Sequence, residues 1–193
     1  MATTTPNYGW PVPTSTDYVK DGATAIEALG DAIDATLFAK AKILQVVSTA
    51  KSDTFTTTST SFTDVTGLSA TITPSSATSK IFVLVMLTGQ GASGTASLQG
   101  RLMRGSTAIA IGDAASSRAR VSVGNLDAGV TTNVTTPIMF LDSPATTAST
   151  TYKIQILCNQ TPNTVFVNRS STDTDSVQFG RGISTITLME VSA

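Results

Sequence analysis

The chain has 193 residues, of which 13% are charged and 40% hydrophobic, and its net charge is −1. That length allows one sizeable domain with a real core, the apolar content excludes compositional disorder, and the basic surplus of a nucleic-acid binder is missing. Histidine is absent and Cys158 is the single cysteine. This removes the usual general base near neutral pH, an intrachain disulfide and any zinc site built from several thiolates.

Residues 1–16, MATTTPNYGWPVPTST, are predicted to form an extended arm, because Pro6, Pro11 and Pro13 hold the backbone extended and remove donors. The arm shows no basic n-region or apolar h-region, and no run of the chain reaches the ~20 apolar residues of a membrane helix. The expectation is a protein made in the cytoplasm that stays soluble, with no membrane partner. Tyr8 and Trp10, the only tryptophan, sit in this arm. Aromatic anchors on an extended segment suit a groove on another chain; the alternative is an arm folded back over its own domain. Tyr8, Trp10, Pro11 and Pro13 are the candidate docking residues.

Residues 17–42, DYVKDGATAIEALGDAIDATLFAKAK, form the one predicted helix. Asp21 can cap it, Glu27 lies near the first turn, and Lys40 and Lys42 lie in the last, where they complement the helix dipole. Ile26, Leu29, Ile33 and Leu37 are spaced to make one apolar stripe. Ala25, Ala28, Ala32 and Ala35 allow close approach beside it, and Asp31 and Asp34 are expected to face out. From Gly22 to Lys42 the helix would run ~30 Å. A two- or three-chain bundle would bury the stripe, as would packing on the body of the same chain. The arm before it and the β-rich body after it favour a stalk, which makes the four stripe residues the candidate oligomerisation contacts.

From 43 to 193 the period is two. Short runs rich in β-branched residues, among them ILQVVST, DTFTTT, SFTDV, LSATIT, KIFVLVML, RARVSV, TTPIMFL, YKIQILC and ISTITLMEV, are bounded by Gly, Ser, Pro or Asn. No second amphipathic helix interrupts them. The expected fold class is mainly β: an antiparallel β-sandwich, jelly-roll-like, preceded by the extended arm and one α-helix.

Within the body, VLVMLTGQGASGTASLQG sets Gly89, Gly91 and Gly94 at the G-x-G-x-x-G spacing of a dinucleotide loop, with Asp113 about 20 residues further on. Such a loop needs a helix directly after the glycines. Thr95, Gly100 and Gly105 interrupt any helical stripe here, so the glycines are read as turn residues and no cofactor is expected. No G-x-S-x-G occurs, and no serine has a histidine to activate it. Asp64, Asp113, Asp127, Asp142 and Glu190 are scattered among turns and strand ends, with nothing marking a hydrolytic pair. Asp173 and Asp175 in SSTDTDS alternate as in a calcium loop but lack its glycine, its closing Glu and its flanking helices. A hairpin tip is the better reading, and a looser surface ion site stays open. Arg118 and Arg120 share a face of RARVSV, where they can meet anionic sugars or a partner's carboxylates, or simply form a charged outer face. Cys158 reads as a small apolar strand residue. The expectation is a protein without catalytic groups.

The stretch TTPNYGWPVPTSTDYVKDGATAIEALGDAIDATL resembles the N-terminal segment of many tailed-bacteriophage virion proteins, in which a PNYGWP-type arm and a D-x-V-x-D-G-x-x-A-I-x-x-L-G-x-A-I-D helix precede varied C-terminal domains. Nearly every position from Pro6 to Leu37 fits. The remainder, from TSFTDVTGLSATITP through RGISTITLMEVSA, is similar to the β-domains of phage fibre-like and decoration-like proteins. The resemblance implies a virion structural protein on the particle surface, a homotrimer attached through its N-terminal part, with the β-domain exposed. It implies attachment to the major capsid protein or to a tail or baseplate protein. Capsid decoration or a head fibre is one reading. A short tail fibre or minor tail protein that binds a host surface glycan or other receptor is another, and a free carbohydrate-binding module is a third. The absence of a long repetitive shaft favours a compact knob on the head.

Overall fold

The computed structural model describes residues 3–12, 18, 21–40, 43–92, 94 and 96–192. The chain divides into two compact units, Met1–Leu44 and Gln45–Ala193.

In the first unit the extended arm doubles back. β1 (Thr3–Thr4) pairs antiparallel with β2 (Pro11–Val12), setting Thr3 opposite Val12 and Thr4 opposite Pro11. The turn closes through Thr5: its N–H donates to Trp10 O at 2.9 Å, and its Oγ1 accepts from Trp10 N at 3.0 Å. Gly9 supplies the left-handed residue at φ +67°, which a side chain would resist. Pro11 fits because it stands on a two-stranded edge where a missing donor costs little. The helix α1 spans Gly22–Lys40, and its exposed Asp31 and Asp34 face out as the spacing predicts.

The second unit is an antiparallel sandwich. Its strands are β3 (Ile43–Lys51), β4 (Phe55–Thr57), β5 (Thr63–Ile72), β6 (Lys80–Gly91), β7 (Leu98–Arg104), β8 (Thr107–Ile109), β9 (Val123–Leu126), β10 (Val134–Asp142), β11 (Thr150–Cys158), β12 (Val165–Val167) and β13 (Ser184–Val191). One sheet runs β3-β13-β6-β12-β4 with β10 on the free side of β6; the other runs β5-β11-β7-β8 with β9 also on β7. Three strands are interrupted and then resume: β3 as β4 after residues 52–54, β8 as β9 after 110–122, and β12 as β13 after 168–183.

Counting each interrupted pair once leaves eight strands among the described residues of this unit. The first sheet then reads sixth, third, eighth, first, and the second reads second, seventh, fourth, fifth. First pairs with eighth, second with seventh, third with sixth and fourth with fifth, which is one long hairpin wrapped over itself. That is the jelly-roll topology.

Alternation builds the core. Ile81, Val83, Val85 and Leu87 of β6 are completely buried, and they meet Ile154, Ile156 and Leu102 from the other sheet in one hydrophobic cluster. Each such side chain stabilises the fold by about 1.5–3 kcal/mol relative to exposure. Polar ties close the ends. Tyr152 of β11 and Arg104 of β7 reach across to Asp142 of β10. Asn168, held at φ +60°, sits where two strands break: its Nδ2 donates to Lys51 O and Asp53 O, and its Oδ1 accepts from Ser184 Oγ.

The structure corrects three local readings. SFTDV and LSATIT are one strand, β5, whose register against β11 slips beside Gly67 at φ +82°. RARVSV is not a strand: Arg118 N closes a turn on Ala115 O, and β9 begins only at Val123. Gly89 and Gly91 are not turn residues but the end of β6, where neighbouring backbone comes too close for a side chain. A Cβ at Gly91 would overlap the Ala96 carbonyl, and one at Gly89 would lie 2.7 Å from Phe166 O. Gly94, at φ +67°, is the turn residue of the three.

Candidate functional site

The residues that the sequence marks for docking and assembly fall in the first unit. At 100° per residue, Ile26, Ile33 and Leu37 lie within about 40° of one another on α1, and Leu29 lies about 60° to one side, toward Ala32 and Thr36. β2 runs along that flank. Trp10 Nε1 donates to Thr36 Oγ1 at 2.9 Å, and Thr36 Oγ1 donates on to Ala32 O at 2.7 Å. Leu29, Ile33, Trp10 and Pro11 are half-buried as a result. Ile26 and Leu37 stay 67% and 62% exposed.

The rings of Tyr8 and Trp10 stack with centroids 5.2 Å apart and planes 18° from parallel. Trp10 thus turns toward its own helix while Tyr8 is left outermost, 58% exposed. Sequence spacing placed both aromatics on one arm; it held no signal for the Thr36 hydroxyl as the indole's partner. Pro13 lies outside the described residues.

The body's chemical candidates do not converge. Asp64 accepts from Lys153 and Gln155, and the Lys153 ammonium holds its carboxyl below the usual range. Asp127 accepts a 3.3 Å bond from Gly94 N. Glu190 is fully buried; burial pushes its carboxyl up, but hydrogen bonds from Ser75, Gln45 and Ser79 outweigh that and hold it at about 2. These carboxylates are committed to holding strand ends, and among the described residues no three acidic, His or Cys side chains form a metal-binding group. Cys158 is buried in the core, as its strand position predicts.

The expected hairpin tip is instead the excursion 168–183 between β12 and β13, two halves of one interrupted strand that lie along β6 and do not pair with each other. In it Asp173 pairs with Arg181 at 2.6 Å and with Arg169 at 3.5 Å. Two guanidiniums thus occupy the carboxylate that an ion would need. Arg118 and Arg120 are both exposed, in a loop rather than on a strand face, and Arg120 Nε donates to Gly112 O. A depression of about 500 Å³ opens between β10 and the 168–183 segment, lined by Met86, Thr88, Asn133, Arg181 and Ile183.

No protein-family model and no curated protein matches the sequence. Among solved structures, the chain is similar to that of the infectious bursal disease virus Gt strain, at 13% identity and a TM-score of 0.42, over 77% of this chain and 38% of that one. It is also similar to the T=1 particles derived from that virus, at 13% identity, a TM-score of 0.41 and coverages of 77% and 36%. The VP2 subviral particle of the same virus gives 12% identity, a TM-score of 0.40 and coverages of 77% and 37%. The chain therefore spans less than two fifths of the length of these structures. Among the described residues, no helix is long and apolar enough to cross a membrane.

Sequence reasoning passed over Val46, Met139, Leu141 and Ile183, which are large, apolar and exposed on the body. A signal was present: Ile81 to Leu87 of β6 is apolar at every position rather than at alternate ones, the pattern of a strand covered on both faces.

Proposed function

We propose that this chain is a structural protein of a bacteriophage virion, a non-enzymatic homotrimeric knob that attaches through its N-terminal unit and exposes its jelly roll. The reading rests on the segment from Pro6 to Leu37 and on one observation: Tyr8, Ile26 and Leu37 stay largely exposed after the hairpin has covered one flank of α1. Apolar groups left outward on so small a unit gain shelter in company, the stripe against its copies and the hairpin against the particle. A jelly roll serves many activities and does not by itself argue for this one.

Decoration of the head, with the major capsid protein as attachment partner, is the first placement. A short tail fibre bound to a tail or baseplate protein is the second. It is favoured by the depression beside Asn133 and Arg181, whose amide and guanidinium suit the hydroxyls of a host glycan.

The test is to purify intact particles and count this chain in them by quantitative mass spectrometry, with wild-type and Ile26→Asp/Leu37→Asp forms supplied in trans. Hundreds of copies per particle place it on the head, and a few to tens place it on the tail. Failure of the wild-type chain to enter any particle sinks the proposal.

A further inference from the structure

The two outer faces of the jelly roll differ in kind. On the β5-β11-β7 sheet the outward positions include Ser69 and the pair Thr71–Thr151, joined by a hydrogen bond, and Asp64, Lys153, Gln155 and Arg101, linked by an ion pair and hydrogen bonds. Apart from Met103 and Leu157, which share that register and are buried, it is a polar, solvated sheet. The β10-β6-β13-β3 sheet is different. Its register sets Leu141 beside Phe82 and Phe82 beside Met189, and in the next row Met139 beside Leu84 and Leu84 beside Thr187. Val83, Phe140 and Leu188, which alternate with these, belong to the core cluster, so the named residues point outward.

β3 extends the same face. Gln45 bonds Glu190 and Ser48 bonds Thr187, an antiparallel progression that puts Val46 opposite Met189. Val46, Met139 and Leu141 are 56%, 64% and 47% exposed. A third row continues the face, with Pro137 and Thr185 on either side of Met86, and these three rows carry no charged side chain.

We infer that this outer face packs against a second copy of the chain. Charge selects the occupant. A charged partner would bury its ions against Leu, Met and Phe without a counter-ion, whereas a second copy brings the same uncharged surface. Area points the same way. Four strands about 4.8 Å apart, carrying about six residues at 3.3 Å each, cover roughly 20 Å by 20 Å in plan. Side-chain relief raises that to about 500–600 Å² on each copy, so two copies bury about 1,000–1,200 Å², the lower end of what a specific interface needs. The uninterrupted apolar run of β6 has the same cause: the strand is covered on its inner face by the core and on its outer face by the neighbour. This contact lies on the body, is independent of the α1 stripe, and does not require the virion reading.

The test uses the full chain in three forms, measured by light scattering across a concentration series and by thermal unfolding. Met139→Asp/Leu141→Asp changes the face, Ile26→Asp/Leu37→Asp changes the helix, and Ser69→Asp/Thr71→Asp is the control on the other sheet. The face variant is expected to weaken self-association by about a hundredfold or more, since each copy would bury unpaired carboxylates. Its unfolding temperature at low concentration should match that of the control, because both residues are exposed. Separately, Met139→Cys should form an interchain disulfide on mild oxidation, while buried Cys158 stays unreacted. A face variant that associates like wild type overturns the inference, even when the helix variant dissociates and so supports the α1 contact alone. A monomeric wild type overturns it too, whether or not its Met139→Cys thiol can be labelled.

Discussion

Tyr152 Oη donates a 2.6 Å hydrogen bond to Asp142 Oδ2, from one sheet of the sandwich to the other. Arg104 NH1 holds the same carboxylate at 2.8 and 2.9 Å. Burial, and then the carboxylate beside it, push the Tyr152 phenol well above the usual tyrosine range. The phenol therefore stays a donor at neutral pH and well above it. Tyr152→Phe is expected to cost about 1.5–3 kcal/mol, the worth of a hydrogen bond to a charged group. Asp142→Ala should cost more, about 3–5 kcal/mol, because it strands both the phenol and the guanidinium. Urea unfolding of the two variants measures the order, and an equal loss in both would refute the shared-acceptor account.

Glu190 makes the fold acid-sensitive. Its folded-state value of about 2 lies below the ordinary 4.5. The ionised form is thus favoured in the folded chain, and its stabilisation is complete above pH about 4.5 and is lost as the pH falls toward 2. The melting temperature should drop through that window. Glu190→Gln should flatten the drop, leaving the slope due to Asp53 and Asp64, whose values are also lowered. An unchanged slope in Glu190→Gln would count against the carboxylate as its source.

Asn168 joins the breaks in two strands. Asn168→Ala loses the bonds to Lys51 O, Asp53 O and Ser184 Oγ and also forces an alanine to φ +60°. A loss of about 3 kcal/mol or more is expected. Asn168→Gly relieves the backbone but not the bonds, so it should fall between wild type and alanine in urea midpoint.

The glycines separate close approach from backbone freedom. Gly91→Ala would place its Cβ on the Ala96 carbonyl, so the β6–β7 connection must shift and soluble yield should collapse. Gly105→Ala meets nothing within 4 Å and carries only the strain of φ +56°, a cost of about 1 kcal/mol. Similar losses for both would mean that β6 and the chain after it are not in such contact.

Trp10, the only tryptophan, reports on the N-terminal unit alone. Thr36→Val removes the acceptor of its indole N–H, and the emission maximum should shift relative to wild type while the unfolding of the body is unchanged. No shift would mean that the indole does not rest on α1 in solution.

Much of the body was legible because alternation is a local signal. ILQVVST, YKIQILC and ISTITLMEV each became a strand near the expected bounds, since apolar residues at about every second position leave one face that must be buried, and KIFVLVML did so as a short uninterrupted apolar run. RARVSV failed because its alternation is too short to outweigh the turn at Ala115–Arg118. Gly89 and Gly91 failed because a strand glycine that admits neighbouring backbone has the same sequence as a turn glycine. In the candidate docking unit the stripe on α1 was visible from spacing. Its division into a flank beside Trp10 and an open side at Ile26 and Leu37 was not, because that depends on where the hairpin lies.

By itself the sequence determined the class of the fold: periods of 3.6 and then 2 are read residue by residue along a chain, so one helix followed by many strands was already written. Which strands pair was decided only in three dimensions. The wrap that brings Arg104 to Asp142 joins residues 38 apart in the chain, and the outward row of Leu141, Phe82 and Met189 exists only once β10, β6 and β13 lie side by side. Periodicity tells each strand which side to bury, but only packing chooses its neighbours and fixes what the other side shows.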